Sequence, residues 1–262
     1  MKPEPRYVVM YSGGIGSWCA AARLVERGIK PTLLFTDTLI EDPDLYRFLD
    51  EGAAALGLTV TRLADGRTPF QTFIDSRMLG NSQFDPCSRI LKRELAHKWV
   101  AEHLDPDLDV IVMGYDYSED HRVVATENAY SPYRVEAPMT ERPWLMKAQQ
   151  LEMALSYGVK PPHLYALGFR HNNCGGGCVK AGQAAWRQLL VTHPDRFEVW
   201  ERQEQIMRHY LGKDVAMLKE RNNGESRPLT LRNLRGRIER NEGCDLLDWG
   251  GCGCFAPSDD EA

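Results

Sequence analysis

The sequence predicts an α/β protein with a doubly wound, mostly parallel sheet, followed by a C-terminal helical and cysteine-bearing extension. Three observations predict this fold. Short apolar runs rich in β-branched and aromatic residues alternate with segments of helical periodicity. The first apolar run leads through a glycine-rich turn directly into a helical pattern. Polar residues and glycine follow several runs, at the strand ends where parallel sheets bind ligands.

The first predicted unit is a strand, a glycine-rich loop and a helix. The continuous apolar run Tyr7–Tyr11 predicts a buried strand, and Trp18–Glu26 predicts a helix that ends before Gly28. Ser12–Ser17, with Gly13, Gly14 and Gly16, lies between them and is called the phosphate loop below. Free backbone N–H groups at a helix start favour an anion, and glycines permit its close approach. The alternative interpretation is an ordinary tight turn.

The remaining elements follow in chain order. Apolar runs predict three more strands, at 32–35, 58–63 and 109–114. Helical spacing predicts helices at 45–56, 87–103, 144–157, 180–190 and 196–211, and the proline-rich stretch 129–142 predicts a surface loop. Asp37 and the segment 115–122 follow predicted strands, so we expect them to lie near the phosphate loop.

Composition restricts the class of protein. The chain has 262 residues, 43% of them apolar, and a net charge of −5. It contains no apolar run of the ~20 residues that span a bilayer and no secretory pattern at its start, so we expect a cytoplasmic protein. We expect a nucleotide-binding domain over residues 1–215 and a tail over 216–262. The tail is basic at Lys219–Arg240, which indicates a solvated helix face or contacts to nucleic acid phosphates.

The seven cysteines favour metal or redox chemistry over a disulfide scaffold. Cys174 and Cys178 are separated only by three glycines, so both thiolates can converge on one centre. Cys87 follows Asp-Pro at a predicted helix start, which favours the thiolate. Cys252 and Cys254 lie in a glycine-rich segment and are further candidates. Zinc sites and iron–sulfur sites both use such cysteines.

Taken together, these motifs resemble the PAPS reductase family, the sulfonucleotide branch of the PP-loop ATP pyrophosphatases, over residues 7–204. The matching segments are the phosphate loop, Phe35–Thr38, Cys87–Lys92, Gly114 with Glu119 and Arg122, Leu164–Tyr165 with Gly168–Phe169, and the pair Cys174 and Cys178. The resemblance implies a PP-loop fold that grips an adenine nucleotide. Gly16 stands where the family usually has Asp.

The resemblance also implies roles for individual residues. The expected nucleotide-binding residues are Ser12, Gly13, Gly14, Gly16, Ser17, Asp37, Gly114 and Glu119. Family members of the iron–sulfur type hold a [4Fe-4S] cluster with two cysteine pairs, but Pro86 replaces one cysteine here. The expected metal ligands are therefore Cys87, Cys174 and Cys178, either alone or with a tail cysteine, Cys254 or Cys252. The expected catalytic residues are Lys92, Arg122, Cys252 and Cys254.

Three functions are consistent with these residues. The first is ATP-dependent sulfur transfer by adenylation and then thiolation, with a sulfur donor, a nucleic-acid acceptor as one option, and Mg²⁺ as an additional cofactor. The second is reduction of PAPS or adenylyl sulfate, with a tail cysteine as nucleophile and a thioredoxin-like reductant. The third is a nucleotide-binding protein with a structural zinc site. The sequence leaves open whether the chain forms a homo-oligomer.

Overall fold

The computed structural model describes residues 4–222 and 225–251. Its centre is a five-stranded sheet in the order β3-β2-β1-β4-β5, with every neighbouring pair parallel. The strands are β1 (Tyr7–Met10), β2 (Thr32–Asp37), β3 (Val60–Ala64), β4 (Val110–Val112) and β5 (Arg134–Glu136). The predicted α/β fold class is therefore confirmed.

The strand order reverses beside β1. The chain adds β2 and β3 on one side of β1 and then returns to place β4 and β5 on the other. In β1, Val8 is paired with Thr32 of β2 and with Ile111 of β4. The loops after β1 and β4 consequently diverge and open a crevice at the carboxyl ends of the strands, the place where open α/β sheets bind ligands.

Helices cover both faces of the sheet. In chain order they are α1 (Ile15–Glu26), α2 (Pro43–Ala55), α3 (Pro69–Ser76), α4 (Pro86–Ser88), α5 (Leu95–His103), α6 (Val123–Tyr130), α7 (Lys147–Ser156), α8 (His163–Ala166), α9 (Gln183–Thr192), α10 (Pro194–Leu211) and α11 (Leu231–Glu239). A π-helical segment, Arg89–Glu94, joins α4 to α5, and a 3-10 helix, Tyr117–Arg122, precedes α6. Among the described residues, no helix is both long and apolar enough to cross a membrane.

Alternate residues of β1 supply two cores. Val9 packs with Trp18 of α1 and Phe48 of α2 on one face. Val8 packs with Val100 of α5 on the other face. Both faces of these short strands are therefore buried, which explains why their sequences are continuously apolar rather than alternating.

A third core joins the C-terminal extension to α3 and to the π-helical segment, through Phe73 and Leu91. Here α9, α10 and α11 pack together with a two-stranded antiparallel hairpin, β6 (Leu218–Asn222) and β7 (Glu225–Leu229). Trp186, Phe197 and Leu234 lie in this core. The Glu204 side chain is fully buried and accepts hydrogen bonds from the backbone N–H groups of Met217 (2.9 Å) and Leu231 (2.7 Å). The division of domains at residue 215 stays a prediction.

Several elements differ from the sequence prediction. The stretch 129–142, predicted as a loop, contains β5, and α3 and α6 were not predicted. The basic segment Lys219–Arg240, interpreted as a helix face, is a hairpin followed by a short helix. The predicted helix 87–103 contains the π-helical segment, in which the consecutive residues Leu91, Lys92 and Arg93 are all buried. Burial of three consecutive residues shows that this segment is covered on more than one face.

Candidate active site

A cavity of about 1010 Å³ opens at the carboxyl ends of β1 and β4. Ser12, Gly14, Gly16 and Ser17 of the phosphate loop form one wall. The segment from Gly114 to Arg122, which includes Glu119, forms the opposite wall. Two predicted groups of residues, far apart in the sequence, therefore face one cavity.

Gly16 and Gly114 allow the two walls to approach each other. A Cβ atom on Gly16 would lie 2.6 Å from the carbonyl oxygen of Gly114, and one on Gly114 would lie 2.5 Å from Cα of Ser17. Backbone atoms cannot move away as a flexible side chain can, so both positions require glycine. This contact brings the start of α1 against the end of β4.

The phosphate loop positions donors at the start of α1. Gly13 has a φ of +78°, and Gly14 is the N-cap residue. The Ser17 hydroxyl donates to the Gly14 carbonyl at 2.9 Å and lies 3.4 Å from Ser12 Oγ. The Ile15 N–H donates to the Tyr165 hydroxyl at 3.1 Å. The loop therefore presents serine hydroxyls and a helix start to the cavity, which suits a phosphate or sulfate.

Positive side chains complete the cavity wall. Lys147 lies over the Tyr165 ring, 5.7 Å from its centroid, and Arg170 lies over the Trp249 ring at 4.9 Å. Arg122 pairs with Glu119 at 2.6 Å and lies 4.4 Å from the centre of the Tyr115 ring. These cations can balance the charge of an anionic ligand, although the chain as a whole is acidic.

Three predicted nucleotide-binding or catalytic residues lie outside the cavity wall. Among the described residues, Gly13, Asp37 and Lys92 do not line the cavity. One carboxylate oxygen of Asp37 accepts hydrogen bonds from the Leu39 N–H (2.8 Å) and the Tyr46 hydroxyl (2.7 Å). Lys92 points instead towards the cysteines, where it favours the thiolate forms of Cys87 and Cys174. Their proposed roles remain predictions.

The cysteine loop, residues 174–178, has an unusual backbone. Cys174, Gly175 and Gly176 are all left-handed, with φ of +54°, +59° and +86°. A Cβ on Gly176 would lie 2.8 Å from the Phe169 ring, and one on Gly177 would collide with the Trp200 indole. Glycine is therefore required here by backbone conformation and by packing, and the loop brings Cys174 within hydrogen-bonding reach of Cys178.

The three predicted cysteine ligands lie in one region, where Cys87 is buried and Cys174 and Cys178 are half-buried. Burial, reinforced by Cys174 and Asp85, raises the pKa of Cys87 to about 12. The hydrogen bond with Cys178, followed by burial and by Glu41, raises the pKa of Cys174 well above its ordinary value. The thiols of Cys87 and Cys174 therefore stay protonated at neutral pH until a cation replaces their protons.

Buried ion pairs flank the cysteines. Lys92 Nζ lies 3.3 Å from Glu41 Oε1, and both side chains are almost completely buried. The other oxygen of Glu41 accepts the backbone N–H of Cys174. Asp85 lies between Arg93 at 3.1 Å and Lys180 at 3.7 Å, and Lys180 also lines the cavity. Fixed charges of both signs thus surround the cysteine loop.

The spacing of the cysteines tests which metal group they fit. The three Sγ atoms of Cys87, Cys174 and Cys178, all described residues, do not all lie within 4.8 Å of one another. A tetrahedral zinc ion with Zn–S bonds near 2.3 Å requires thiolates about 3.8 Å apart. An iron–sulfur cluster binds each thiolate on a different iron atom, so it accepts a wider spacing. Cys174 and Cys178, which are within hydrogen-bonding reach of each other, have the short spacing that zinc uses, whereas the wider spacing of Cys87 suits a cluster, so the thiolate donor set is compatible with both groups.

The cavity and the cysteine loop are directly connected. Asn172, which is 1% exposed, donates from Nδ2 to the Gly13 carbonyl at 3.1 Å. A smaller pocket of about 30 Å³ reaches Cys178 and shares Phe169, Arg170 and His171 with the large cavity. Asn172 therefore joins the phosphate loop to the segment that leads directly into the cysteine loop.

The end of the described chain also lies at the cavity. Asp248 caps α9 by accepting the Gln183 N–H at 3.0 Å, and Gly250 forms a β-bridge with Ala181. Gly250 and Gly251 line the cavity. Cys252 and Cys254, predicted as nucleophiles or ligands, lie outside the described residues.

Sequence reasoning missed several residues of this site. Glu41 and Asp85 are acids next to recognised motifs, and that proximity was the available signal. Tyr165 belongs to a segment that matches the family pattern, but its contact with the phosphate loop spans 150 residues, and no local pattern indicates it. Lys147 and Lys180 sit at or near helix starts, where lysine carries no signal of its own.

Two solved structures share part of this architecture. A phosphoadenylyl-sulfate (PAPS) reductase from Candida auris, in a phosphate complex, is 19% identical with a TM-score of 0.47, over 64% of this chain and 79% of that one. A predicted subunit of a tRNA methyltransferase from Methanocaldococcus jannaschii is 18% identical with a TM-score of 0.33, over 60% and 90%. No protein-family model and no curated protein sequence matches the chain. At these identities and TM-scores, function is argued from the residues of the site.

Proposed function

We propose that the chain is a nucleotide-using enzyme of the PP-loop type that activates an acceptor with ATP and then transfers sulfur to it. One observation supports this proposal above the others. The cavity that contains the phosphate loop shares its wall with the small pocket that reaches Cys178. A nucleotide site and a thiol site that share a wall are what adenylation followed by thiolation requires.

The proposed reaction has two steps. An acceptor carbonyl oxygen attacks the α-phosphorus of ATP, and pyrophosphate leaves with the electron pair of the broken P–O bond. The sulfur of a hydrosulfide or persulfide donor then attacks the activated carbon. AMP leaves with the acceptor oxygen, and the proton of a hydrosulfide donor is released; a persulfide donor additionally needs a reducing thiol to free its sulfur.

The residues of the cavity take separate roles in the first step. The phosphate loop holds the triphosphate through its serine hydroxyls and the start of α1. Lys147 and Lys180 balance its charge, and Arg122 stabilises the departing pyrophosphate. Asp116 and Glu119 are carboxylates of the cavity wall that can bind a Mg²⁺ ion carried by the nucleotide. Lys92 stabilises negative charge on the cysteines.

The cysteine loop would hold the iron–sulfur cluster. Cys87, Cys174 and Cys178 would be its ligands, with a tail cysteine as an optional fourth. When bound, a cluster with three protein thiolates supplies an iron position that can take a sulfur ligand. The glycine N–H groups of the loop and Lys92 favour the negative charge of such a group.

A second candidate is a sulfonucleotide reductase. It is favoured by the position of Gly250 and Gly251 on the cavity wall, because the sequence continues from there directly into Cys252. A thiolate of Cys252 or Cys254 would attack the sulfur of PAPS or adenylyl sulfate, and the phosphate-bearing nucleotide would leave. A thioredoxin-like dithiol would then release sulfite and become oxidised.

Binding by anaerobically purified protein tests the proposal. We expect ATP to bind more tightly than PAPS or adenylyl sulfate, and iron to be present with the cysteines. Lys147→Ala should weaken ATP binding about tenfold, because it removes one cation from the triphosphate site. Lys213→Ala, an exposed lysine with the same charge change, is the matched control and should have no effect.

The outcomes separate the candidates. Preference for PAPS or adenylyl sulfate would favour the reductase. Stoichiometric zinc without iron at the cysteines would favour the structural zinc site. Equal ATP binding by Lys147→Ala, Lys213→Ala and the unchanged chain would contradict the assignment of the cavity.

A further inference from the structure

A second cluster of metal-binding side chains lies away from the cysteines. One ligand atom from each of Asp42, His163 and His193 lies within 4.8 Å of the other two. Asp42 is the N-cap residue of α2, His163 begins α8, and His193 joins α9 to α10. In the described part of the chain, none of the three belongs to the cavity wall.

We propose that Asp42, His163 and His193 bind one divalent transition-metal ion, with zinc as the expected occupant. Two imidazoles and one carboxylate are a donor set that zinc and neighbouring metals prefer. Three protein ligands leave a coordination position for water. The proposal is independent of the cysteine loop and of the reaction proposed above.

The carboxylate of Asp42 is already held in position. Its side chain is 1% exposed, and Oδ2 forms an ion pair with Arg196 at 2.5 Å. The other oxygen, Oδ1, accepts the Asp44 N–H at 2.7 Å and lies 3.6 Å from His163 Nδ1. Because Arg196 occupies Oδ2, Oδ1 is the oxygen available to a metal, and it retains a lone pair beside the backbone hydrogen bond.

The two histidines are oriented by their neighbours. The His163 backbone N–H donates to Asp44 Oδ2 at 2.7 Å, and that oxygen lies 3.2 Å from His163 Nδ1. His193 Nδ1 lies 2.9 Å from the Thr192 hydroxyl. When Nδ1 donates to this hydroxyl, the lone pair is on Nε2, which is how a second polar group prepares a histidine to bind a metal.

The site can admit an ion and bring its ligands together. The His163 side chain is 38% exposed, so water and metal can reach it and its ring can move. The three ligand atoms lie within 4.8 Å of one another, and bonds of about 2.0–2.2 Å require a small further approach. Movement of the exposed His163 ring towards the buried Asp42 supplies that approach.

A metal ion bound by Asp42, His163 and His193 would connect three segments of the fold. The metal would join the start of α2, the start of α8 and the junction before α10. Arg196, which holds Asp42, also donates to the Gly175 carbonyl at 3.2 Å. The metal would therefore stabilise the folded chain and, through Arg196, the base of the cysteine loop.

Cobalt titration of the full-length chain tests the proposal. Co²⁺ bound by nitrogen and oxygen gives visible d–d bands without the intense sulfur-to-cobalt charge transfer that thiolates produce. We expect one such site per chain. His163→Gln and His193→Gln should each weaken it about tenfold or more, whereas His209→Gln, an exposed histidine of α10, should not.

Thermal unfolding with and without zinc is a second measurement, which tests the site even if a variant is less stable than the unchanged chain. Zinc should raise the melting temperature of the unchanged chain and of His209→Gln, but not of the His163→Gln/His193→Gln double variant. Cobalt spectra with thiolate bands alone would overturn the proposal. A cobalt affinity that is unchanged in both His163→Gln and His193→Gln would overturn the proposal as well. Failure of ATP to bind would contradict the proposed function without affecting this site.

Discussion

The buried pair of Lys92 and Glu41 supports the cysteine loop through charge. Glu41 accepts the Cys174 N–H and the Thr38 hydroxyl, and Lys92 lies 3.3 Å from its carboxylate. Lys92→Met should lower the free energy of unfolding by about 3–5 kcal/mol, because it leaves the Glu41 charge buried without this cation. Urea denaturation of metal-free protein measures the change.

A surface pair provides the control for this prediction. Arg202 and Glu198 are 3.0 Å apart, and both side chains are more than half exposed. Arg202→Met should therefore change stability by less than about 1 kcal/mol. The double variant Lys92→Met/Glu41→Gln should recover part of the loss. If Lys92→Met lowered the free energy of unfolding no more than Arg202→Met does, the buried pair of Lys92 and Glu41 would not stabilise the fold as predicted.

At the scale of residues, local patterns predicted the site better than distant contacts did. Gly16 and Gly114 were predicted as site residues, and their close approach explains why glycine is required. Asn172 reaches the phosphate loop over 159 residues, which no sequence window can indicate. Asp37 was predicted from its position at a strand end, but the Leu39 N–H and the Tyr46 hydroxyl, both close in sequence, contact its carboxylate.

At the scale of elements, Glu204 attaches the hairpin and α11 to α10. Burial raises the pKa of Glu204 to about 7, whereas its ordinary value is 4.5. The unfolded chain therefore releases this proton near pH 4.5, and the folded chain keeps it until about pH 7. The contribution of Glu204 to the free energy of unfolding is therefore fully present below pH 4.5. It decreases by about 1.4 kcal/mol per pH unit as the pH rises to about 7.

Glu204→Gln should remove this dependence on pH. Gln cannot ionise, and its amide nitrogen cannot accept the second backbone N–H, so stability should also fall by about 1–3 kcal/mol. Urea denaturation between pH 4.5 and pH 8 should show the stability advantage of Glu204 over Gln shrinking up to pH 7 and constant above. The exposed Glu198→Gln is the control. If the stability of the unchanged chain and that of Glu204→Gln varied with pH in parallel, the prediction would be wrong.

The elements that sequence reasoning found are those with long or continuous patterns. The strands β1 and β2 are buried on both faces and read as unbroken apolar runs. β5 has three residues, Arg134–Glu136, of which only Val135 is buried, so it carries almost no pattern. The π-helical segment was missed because helical periodicity assumes 3.6 residues per turn throughout.

At the scale of the whole molecule, strand order decides where the site lies. The reversal between β1 and β4 creates the crevice, and residues 168–173, which lead into the cysteine loop, close it together with Gly250 and Gly251. The sequence predicted that the strand ends would meet, because parallel strands share one carboxyl edge. It could not predict that both β2 and β4 lie beside β1, because an apolar pattern does not specify which strands are neighbours.

The shared wall of the two pockets predicts that a nucleotide shields Cys178. Phe169, Arg170 and His171 line both pockets, so a ligand in the cavity covers the approach to this thiol. In metal-free protein, ATP at about ten times its Kd leaves roughly one-tenth of the chains free, so alkylation of Cys178 should slow about tenfold. Mass spectrometry of the cysteine peptides measures the rates. Cys244, which is absent from both pocket walls among the described residues, should react at an unchanged rate. If ATP slowed the alkylation of both cysteines equally, the effect would be a general stabilisation of the fold. If ATP did not slow the alkylation of Cys178, a ligand in the cavity would not cover this thiol, and the prediction would be wrong.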